Sequence, residues 1–277
     1  MKESQTTSLP RREFMRKAAE TLGGIAVVVC ASGGLGTLLA DQQHKKGAPK
    51  PGVGGKGQQV GVPHEYDPTH HRYVYLIDVT KCIGCGACVR ACGKENDVPE
   101  GFFRTWIERY IVSTDGEHVD IDSPNGGKDG FQPKVTGFEV AKAFFVPKIC
   151  NHCTQTPCVQ LCPVGASYRS PDGVVLVDET RCIGCGYCVQ ACPFGSRFIH
   201  PKTHTASKCT LCYHRITRGL NPACVDACPT GTRQFGDRER KGDPVWKQVV
   251  SGKVHVLKPE LLTEPNAYYL GLSYEVR

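Results

Sequence analysis

Long apolar segments are almost absent from this chain of 277 residues. One extended stretch, Thr21–Ala40, lacks charged residues, and residues 238–277 contain no run apolar enough for a membrane helix. Because each membrane-spanning helix needs about 20 apolar residues, a polytopic membrane protein is excluded. Hydrophobic residues still account for 40% of the sequence, so the chain has enough apolar material to bury a core.

Basic clusters and catalytic motifs are also missing. The formal net charge is +7, but the densest basic segments, Lys45-Lys46 and Arg238–Lys241, lie in polar surroundings. Such scattered charge is typical of a solvated surface, and we expect no nucleic-acid partner. No nucleophile–base pair, nucleotide-binding loop or substrate-binding motif is recognisable, so the sequence predicts no catalytic residue.

Cysteine, in contrast, is abundant, with 17 residues in the chain. Cys30 stands alone, and the other sixteen fall into four groups along the sequence. The groups are Cys82, Cys85, Cys88 and Cys92; Cys150, Cys153, Cys158 and Cys162; Cys182, Cys185, Cys188 and Cys192; and Cys209, Cys212, Cys224 and Cys228. Three kinds of site use cysteine at this density, namely disulfides, zinc sites and iron–sulfur clusters.

The spacing within the groups separates these alternatives. The pattern Cys-x2-Cys-x2-Cys-x3-Cys occurs twice, at residues 82–92 and 182–192. Disulfide frameworks spread their cysteines to join distant loops, and structural zinc sites use separated Cys-x2-Cys pairs. Three closely spaced cysteines instead wrap one side of a cubane, and a fourth, usually before proline, reaches the neighbouring cluster. Proline follows the fourth cysteine in three groups, whereas Gly93 follows Cys92. The pattern predicts iron–sulfur clusters.

An internal repeat supports this prediction. The segment Asp78–Cys92 recurs as Asp178–Cys192, one hundred residues later. A β-branched run precedes each copy, at Tyr73–Ile77 and at Val174–Val177, so each unit is predicted to be a strand, a cluster loop and a short helix. Glycines in the loops are expected to adopt positive φ and to turn backbone N–H groups toward the sulfurs; they are Gly84, Gly86, Gly184 and Gly186.

Other residues near the cysteines have two possible roles. His152 and His214 lie among the cysteines and could be ligands of a Rieske-like centre. Each group already has four cysteines, so we expect both histidines to be non-ligands. Four apolar residues of the repeat either surround the clusters and exclude water or belong to an ordinary core; they are Ile83, Val89, Ile183 and Val189.

The second and third groups are separated as in a bacterial two-cluster ferredoxin, in which the fourth cysteine binds the neighbouring cluster. This crossover rule pairs groups two and three, and groups one and four then pair by exclusion. We name the resulting ligand sets A (Cys82, Cys85, Cys88, Cys228), B (Cys209, Cys212, Cys224, Cys92), C (Cys150, Cys153, Cys158, Cys192) and D (Cys182, Cys185, Cys188, Cys162). Four complete sets predict four [4Fe-4S] clusters. Each oxidised cluster with four thiolates carries about two negative charges, so the basic excess is interpreted as compensation for cluster charge.

The N-terminal segment has the features of an export signal. Arg11-Arg12 is followed by Glu, Phe and Met and then by a glycine-rich, mildly apolar stretch, which resembles a twin-arginine signal. Residues 1–40 are therefore predicted to direct export to the periplasm, either cleaved or retained as a membrane anchor. Residues 41–71, rich in Gly, Lys, Pro and His, are predicted to be a flexible linker.

On these motifs, residues 72–237 resemble the four-cluster iron–sulfur subunits of complex molybdopterin oxidoreductases, such as the dimethyl sulfoxide, polysulfide and tetrathionate reductase families. They also resemble the related subunit of the quinol-dehydrogenase module that serves cytochrome nitrite reduction. The segments Cys150–Gly165 and Cys209–Gly236 are particularly similar to the tetrathionate-reductase type.

The resemblance implies an α+β fold of tandem, duplicated bacterial ferredoxin-like modules with short strands, short helices and long cluster-binding loops. Residues 149–200 form the central two-cluster module in this interpretation, and residues 72–148 with 201–237 form the second. The second module includes a β insertion with predicted strands at Arg104–Val112 and Ala141–Val146. Asp243-Pro244 is predicted to begin a helix that ends at Ser251, within a C-terminal docking tail at 238–277.

The resemblance also implies a function. The chain would relay electrons between a quinone-linked integral membrane subunit and a catalytic, molybdopterin-type subunit of an exported respiratory oxidoreductase. Two alternatives stay open at this point: a freely diffusing periplasmic polyferredoxin, and the same relay serving a multihaem cytochrome.

Overall fold

The computed structural model describes residues 66–276. The predicted signal at 1–40, Cys30 and the linker up to residue 65 lie outside the described residues. Within the described part, no helix combines the length and apolar character needed to cross a bilayer.

Short strands and short helices alternate along the chain and are joined by long loops. The strands are β1 (Tyr73–Asp78), β2 (Thr105–Ser113), β3 (Val119–Asp122), β4 (Val140–Ile149), β5 (Ser167–Arg169), β6 (Val175–Val177), β7 (Arg197–Ile199), β8 (Ala206–Lys208), β9 (Arg233–Asp237), β10 (Val254–His255) and β11 (Ala267–Leu270). The helices are α1 (Ala87–Glu95), α2 (Pro157–Gln160), α3 (Tyr187–Gln190), α4 (Tyr213–Ile216), α5 (Ala223–Asp226) and α6 (Pro244–Ser251). This mixture of helices and small sheets agrees with the predicted α+β class.

The largest sheet has the order β10-β11-β1-β9, with β1 in its interior. Strand β1 pairs antiparallel with β9, where Tyr75 lies opposite Phe235, and parallel with β11, where Tyr75 lies opposite Ala267. Strand β11, within the segment 238–277 that was predicted to be a docking tail, is thus a central member of this sheet. Tyr269 in β11 is fully buried, so its apolar surface stabilises the fold of this chain.

Helix α6 covers one face of the same sheet. Asp243 caps its N-terminus, since its carboxylate accepts hydrogen bonds from the backbone N–H groups of Val245 and Trp246, both at 2.9 Å. The predicted helix from Pro244 to Ser251 is thus confirmed. Its buried residues Val245 and Val249 pack on Val74 and Leu76 of β1.

The predicted β insertion forms a separate antiparallel sheet in the order β3-β2-β4. Strands β2 and β4 pair along their length, from Thr105 opposite Ile149 to Val112 opposite Lys142. The two strands predicted at 104–112 and 141–146 are confirmed. Their buried side chains, including Ile107 and Val146, join the principal core together with Tyr75 of β1. Cysteines from three of the four groups belong to this same core.

Four cysteine-lined centres

The two copies of the repeat have the predicted local structure. Each strand leads into an Asp-capped turn, where Asp78 and Asp178 accept hydrogen bonds from the Thr two residues later. The cluster loop follows, and a helix begins immediately after its second glycine. The four glycines adopt the predicted positive φ angles, with values of 69°, 72°, 70° and 77° at Gly84, Gly86, Gly184 and Gly186. These left-handed residues let three cysteines of each copy face one cavity.

Three of the four sets each line one cavity. The members of set A line one cavity, those of set C a second, and those of set D a third. In each case the fourth cysteine comes from the partner group, as in Cys228 beside Cys82 and Cys162 beside Cys182. The structure thus brings together the cysteines that the crossover rule groups.

Set B is the most deeply buried. All four of its cysteines are buried, and helices α1 and α5, which carry Cys92 and Cys224, pack against each other. The amide Nδ2 of Asn96 lies 3.6 Å from the sulfurs of both Cys92 and Cys212. Burial, together with the negative charge of Cys224 and Cys212, raises the pKa of Cys92 to about 12. These contacts bring Cys92 to cysteines more than a hundred residues later in the chain.

The sets follow one another as neighbours. Cys88 of set A and Cys92 of set B lie on α1, and residues four apart on a helix lie on the same face. Cys209 of set B and Cys150 of set C belong to the same buried cluster, and after burial and the charge of Cys92, the charge of Cys150 also raises the pKa of Cys209. Groups two and three connect sets C and D by crossover. The order of neighbours is therefore A, B, C, D.

Backbone N–H groups and several polar side chains contact the cysteine sulfurs. The N–H groups of Ser167, Ala206 and Leu211 donate to the sulfurs of Cys162, Cys182 and Cys209, at 3.4, 3.2 and 3.3 Å. Burial opposes ionisation of Cys162, but several backbone N–H groups lower its pKa overall. The Tyr75 hydroxyl lies 3.2 Å from the sulfur of Cys224. Such donors stabilise charge on the sulfurs and help set the reduction potential of a bound cluster.

Four cysteines in each set supply the ligands that a [4Fe-4S] cluster requires. Among residues 66–276, none of the sixteen cysteines is paired in a disulfide. Burial raises the pKa of Cys82 to about 11 and of Cys153 to about 12. Buried thiols of this kind need a cationic partner such as iron to become thiolates.

Neither histidine adjoining the cysteines is needed to complete a set. The Nδ1 atom of His152 accepts a hydrogen bond from the backbone N–H of Val175 at 3.0 Å. The Nε2 atom of His214 lies 2.7 Å from a carboxylate oxygen of Glu95. Both rings therefore contact groups of this chain, and all four sets consist of cysteine alone.

Two buried arginines beside the sets were not predicted. Arg233 lines the cavity of set A, and Arg197 lines that of set C. The segments that contain them share a motif, Cys-Pro-x-Gly-Ser/Thr-Arg, at 192–197 and 228–233. This repeated motif could have identified the two arginines from the sequence, because a basic residue at a fixed distance after two cluster cysteines is unusual on a solvated surface.

Comparison with known proteins agrees with this geometry. Two family models, each described as a 4Fe-4S dicluster domain, match residues 81–166 and 141–238. The B subunit of tetrathionate reductase from Salmonella typhimurium is 42% identical over 212 residues, covering 76% of this chain and 76% of that protein. The corresponding B subunit from Archaeoglobus fulgidus is 46% identical over 203 residues, covering 73% and 83%. Protein NrfC of Escherichia coli is 37% identical over 205 residues, covering 73% and 82%.

The cysteine sets, the two matching dicluster models and the extended similarity lead to one conclusion. This chain belongs to the family of ferredoxin-type iron–sulfur electron-transfer subunits of reductase complexes, and it carries four [4Fe-4S] clusters.

Proposed function

We propose that sets A to D each bind one cluster and that electrons pass along the order A, B, C, D or its reverse. When bound, each cluster supplies one-electron redox chemistry. The chain holds the four sites in fixed succession, since every neighbouring pair shares a helix, a crossover segment or a buried contact. In this proposal the fold is a duplicated ferredoxin-like module, with sets C and D in one copy and sets A and B in the other.

The burial of set B and the exposure of one isoleucine at each end set support the proposed relay. The interior set B is wholly buried, whereas each end set has an exposed apolar residue on its cavity: Ile83 at set A is 60% exposed, and Ile183 at set D is 65% exposed. Exposed isoleucines at these two places do not belong to the core of this chain. Such residues suit contact surfaces for partner proteins, one at each end of the relay.

The partners in this proposal are a catalytic subunit of the molybdopterin type and a quinone-linked integral membrane subunit. The relatives' names support a reductase complex: they include the B subunit of tetrathionate reductase and a thiosulfate reductase electron transfer subunit of Salmonella typhi. Purification of the native complex from membranes, followed by identification of its subunits, tests this assignment. Recovery of a molybdopterin protein and a membrane protein supports it. A multihaem cytochrome in place of the molybdopterin protein, or recovery of the chain alone, contradicts it.

The crossover assignment is tested by exchanging single ligands. In a Cys92→Ser variant we expect the altered centre to be the one that Cys209→Ser also alters, because Cys92 belongs to set B. EPR-monitored redox titration of these two variants and of Cys82→Ser provides the comparison. If Cys92→Ser changes the centre that Cys82→Ser changes, the crossover assignment is wrong.

We also propose that residues 1–40 direct export by the twin-arginine route, so that the chain works in the periplasm at the membrane. Replacement of Arg11 and Arg12 by lysine is expected to leave cluster-loaded protein in the cytoplasm. Fractionation of cells with an antibody against the chain measures this. Wild-type amounts of the double variant in the periplasm would show that these arginines do not direct export of the chain.

A further inference from the structure

Arg233 and Arg197 are charged side chains that lie in the interior without an ordinary counter-ion. Arg233 is 2% exposed and Arg197 is 5% exposed. A guanidinium keeps its positive charge under all physiological conditions, and burial of a charge without a partner is strongly unfavourable. The fold must therefore provide negative charge nearby.

Carboxylates do not provide it. Among the described residues, neither arginine forms an ion pair with Asp or Glu. The hydrogen-bond partners are neutral hydroxyls: Arg233 donates to Tyr75 at 3.4 Å and to Thr105 at 2.8 Å, and Arg197 donates to Ser167 at 2.8 Å. The Nε atom of Arg233 and the Nε and Nη2 atoms of Arg197 are buried without any partner.

Each arginine lines the cavity of one cysteine set and reaches a second set through a residue whose side chain it hydrogen-bonds. Arg233 lines the cavity of set A, and its partner Tyr75 contacts the sulfur of Cys224 in set B at 3.2 Å. Arg197 lines the cavity of set C. Its partner Ser167 donates its N–H to the sulfur of Cys162 in set D at 3.4 Å.

The two arrangements correspond in sequence as well as in space. Each arginine follows a crossover cysteine by five residues, at Cys192-Pro-Phe-Gly-Ser-Arg197 and Cys228-Pro-Thr-Gly-Thr-Arg233. Each also donates to one Ser or Thr hydroxyl, that of Ser167 or that of Thr105. The same arrangement at both crossover positions indicates one role for both side chains.

We propose that Arg233 is the shared counter-ion of clusters A and B, and that Arg197 is the shared counter-ion of clusters C and D. The inference rests on the ligand assignment proposed above. Each one-electron reduction adds a negative charge to a cluster, and a fixed positive charge beside it stabilises the reduced form. The arginines thus raise the reduction potentials of both flanking clusters. They also reduce the penalty for placing electrons on two adjacent clusters.

Redox titration of the full-length, cluster-loaded chain tests this role. Arg233→Gln is expected to lower the potentials of clusters A and B and to leave those of C and D unchanged. Arg197→Gln is expected to do the reverse. We expect about a tenfold change in the ratio of reduced to oxidised cluster, which is about 59 mV for a one-electron couple. The cysteine-to-serine variants described above identify which signal belongs to which cluster.

Matched variants separate charge from structure. Arg233→Lys and Arg197→Lys keep the charge and are expected to retain most of the wild-type potentials. The side chain of Lys81 is exposed, and its Nζ atom pairs with Asp78. The Lys81→Gln variant removes this charge next to Cys82, and we expect it to shift no reduction potential. If a Gln variant loses iron, its Lys counterpart should restore about sixteen irons per chain.

Four outcomes decide the inference. Lowered potentials in the Gln variants and recovery in the Lys variants support it. Unchanged potentials with full iron content overturn it while leaving the ligand assignment intact. Equal iron loss in the Gln and Lys variants also overturns it, because shape rather than charge would then be required. A shift in clusters other than the two flanking ones overturns the ligand assignment as well.

Discussion

The loops at 82–92 and 182–192 share a sequence pattern and left-handed glycines, but their surroundings differ. The insertion covers the first loop: a Cβ atom at Gly86 would meet the carbonyl oxygens of Gly127 and Lys128. At Gly186, in the second loop, a Cβ atom would meet nothing within 4 Å. Cys85 is partly buried, whereas Cys185 is exposed. The local pattern therefore determines the loop conformation, while the insertion adds cover to the first loop that the second loop lacks at Gly186.

The helices that follow the loops differ too. Helix α1 extends over nine residues, whereas α3 has four. Gly93 allows α1 to continue past Cys92, the fourth cysteine of its group. In the second copy, Pro193 occupies the position that corresponds to Gly93. Since proline lacks a backbone N–H and clashes with the preceding turn, a helix rarely continues through it. The longer α1 places Asn96 beside set B, a contact that the second copy lacks at the corresponding position.

The largest difference between the two loops is expected when a glycine of each loop is replaced by alanine. Gly86→Ala combines a φ of 72° with contact against backbone carbonyls, and we expect it to cost about 4 kcal/mol of stability and the iron of cluster A. Gly186→Ala meets only the backbone strain and should cost about 1.5 kcal/mol with iron retained. Iron content and anaerobic thermal unfolding measure both. Equal losses would show that the insertion does not shield the first loop.

A smaller effect is expected from exchanging the residues after the fourth cysteines. Gly93→Pro should cost about 3 kcal/mol, because it interrupts α1 and displaces the segment that holds Asn96. Pro193→Gly should cost about 0.7 kcal/mol, through greater freedom of the unfolded chain. Thermal unfolding of the two variants measures both losses of stability. A Gly93→Pro variant as stable as wild type would mean that the length of α1 has no role.

The smallest effect concerns the Asp-capped turns. Burial opposes ionisation of Asp78, but hydrogen bonds from Thr80 and the Lys81 ammonium lower its pKa below 3.8, and hydrogen bonds from Thr180 lower the pKa of Asp178. Both carboxyls thus stabilise the fold above about pH 4 and lose this effect as the pH falls. Asp78→Asn and Asp178→Asn should each lower the melting temperature by a few degrees, with the larger decrease for the more buried Asp78. From pH 5 to pH 8 the decrease should be constant. A decrease that varied with pH in this range would assign the effect to another group.

Local sequence predicted the features that depend on neighbouring residues. The glycine conformations, the Asp-capped helix α6 and the paired strands β2 and β4 followed from turn residues, caps and β-branched runs. The parallel pairing of β1 with β11 was missed, because partners about 190 residues apart leave no local pattern. Arg197 and Arg233 were missed because a single arginine in a sequence is ordinarily a surface residue, and their burial depends on charge contributed by distant cysteines.

The pairing of β1 with β11 has a consequence for the order in which the protein is made. The ligands of sets C and D are all present once residue 192 has been synthesised, whereas set A waits for Cys228. Strand β1, which leads into the first cluster loop, acquires one of its two neighbours only with residues 267–270. Since chains fold as segments emerge, we expect the sites of sets C and D to be complete before those of sets A and B. Loss of the last ten residues would remove most of β11 and would therefore affect set A, whose first ligands, Cys82, Cys85 and Cys88, are synthesised earliest.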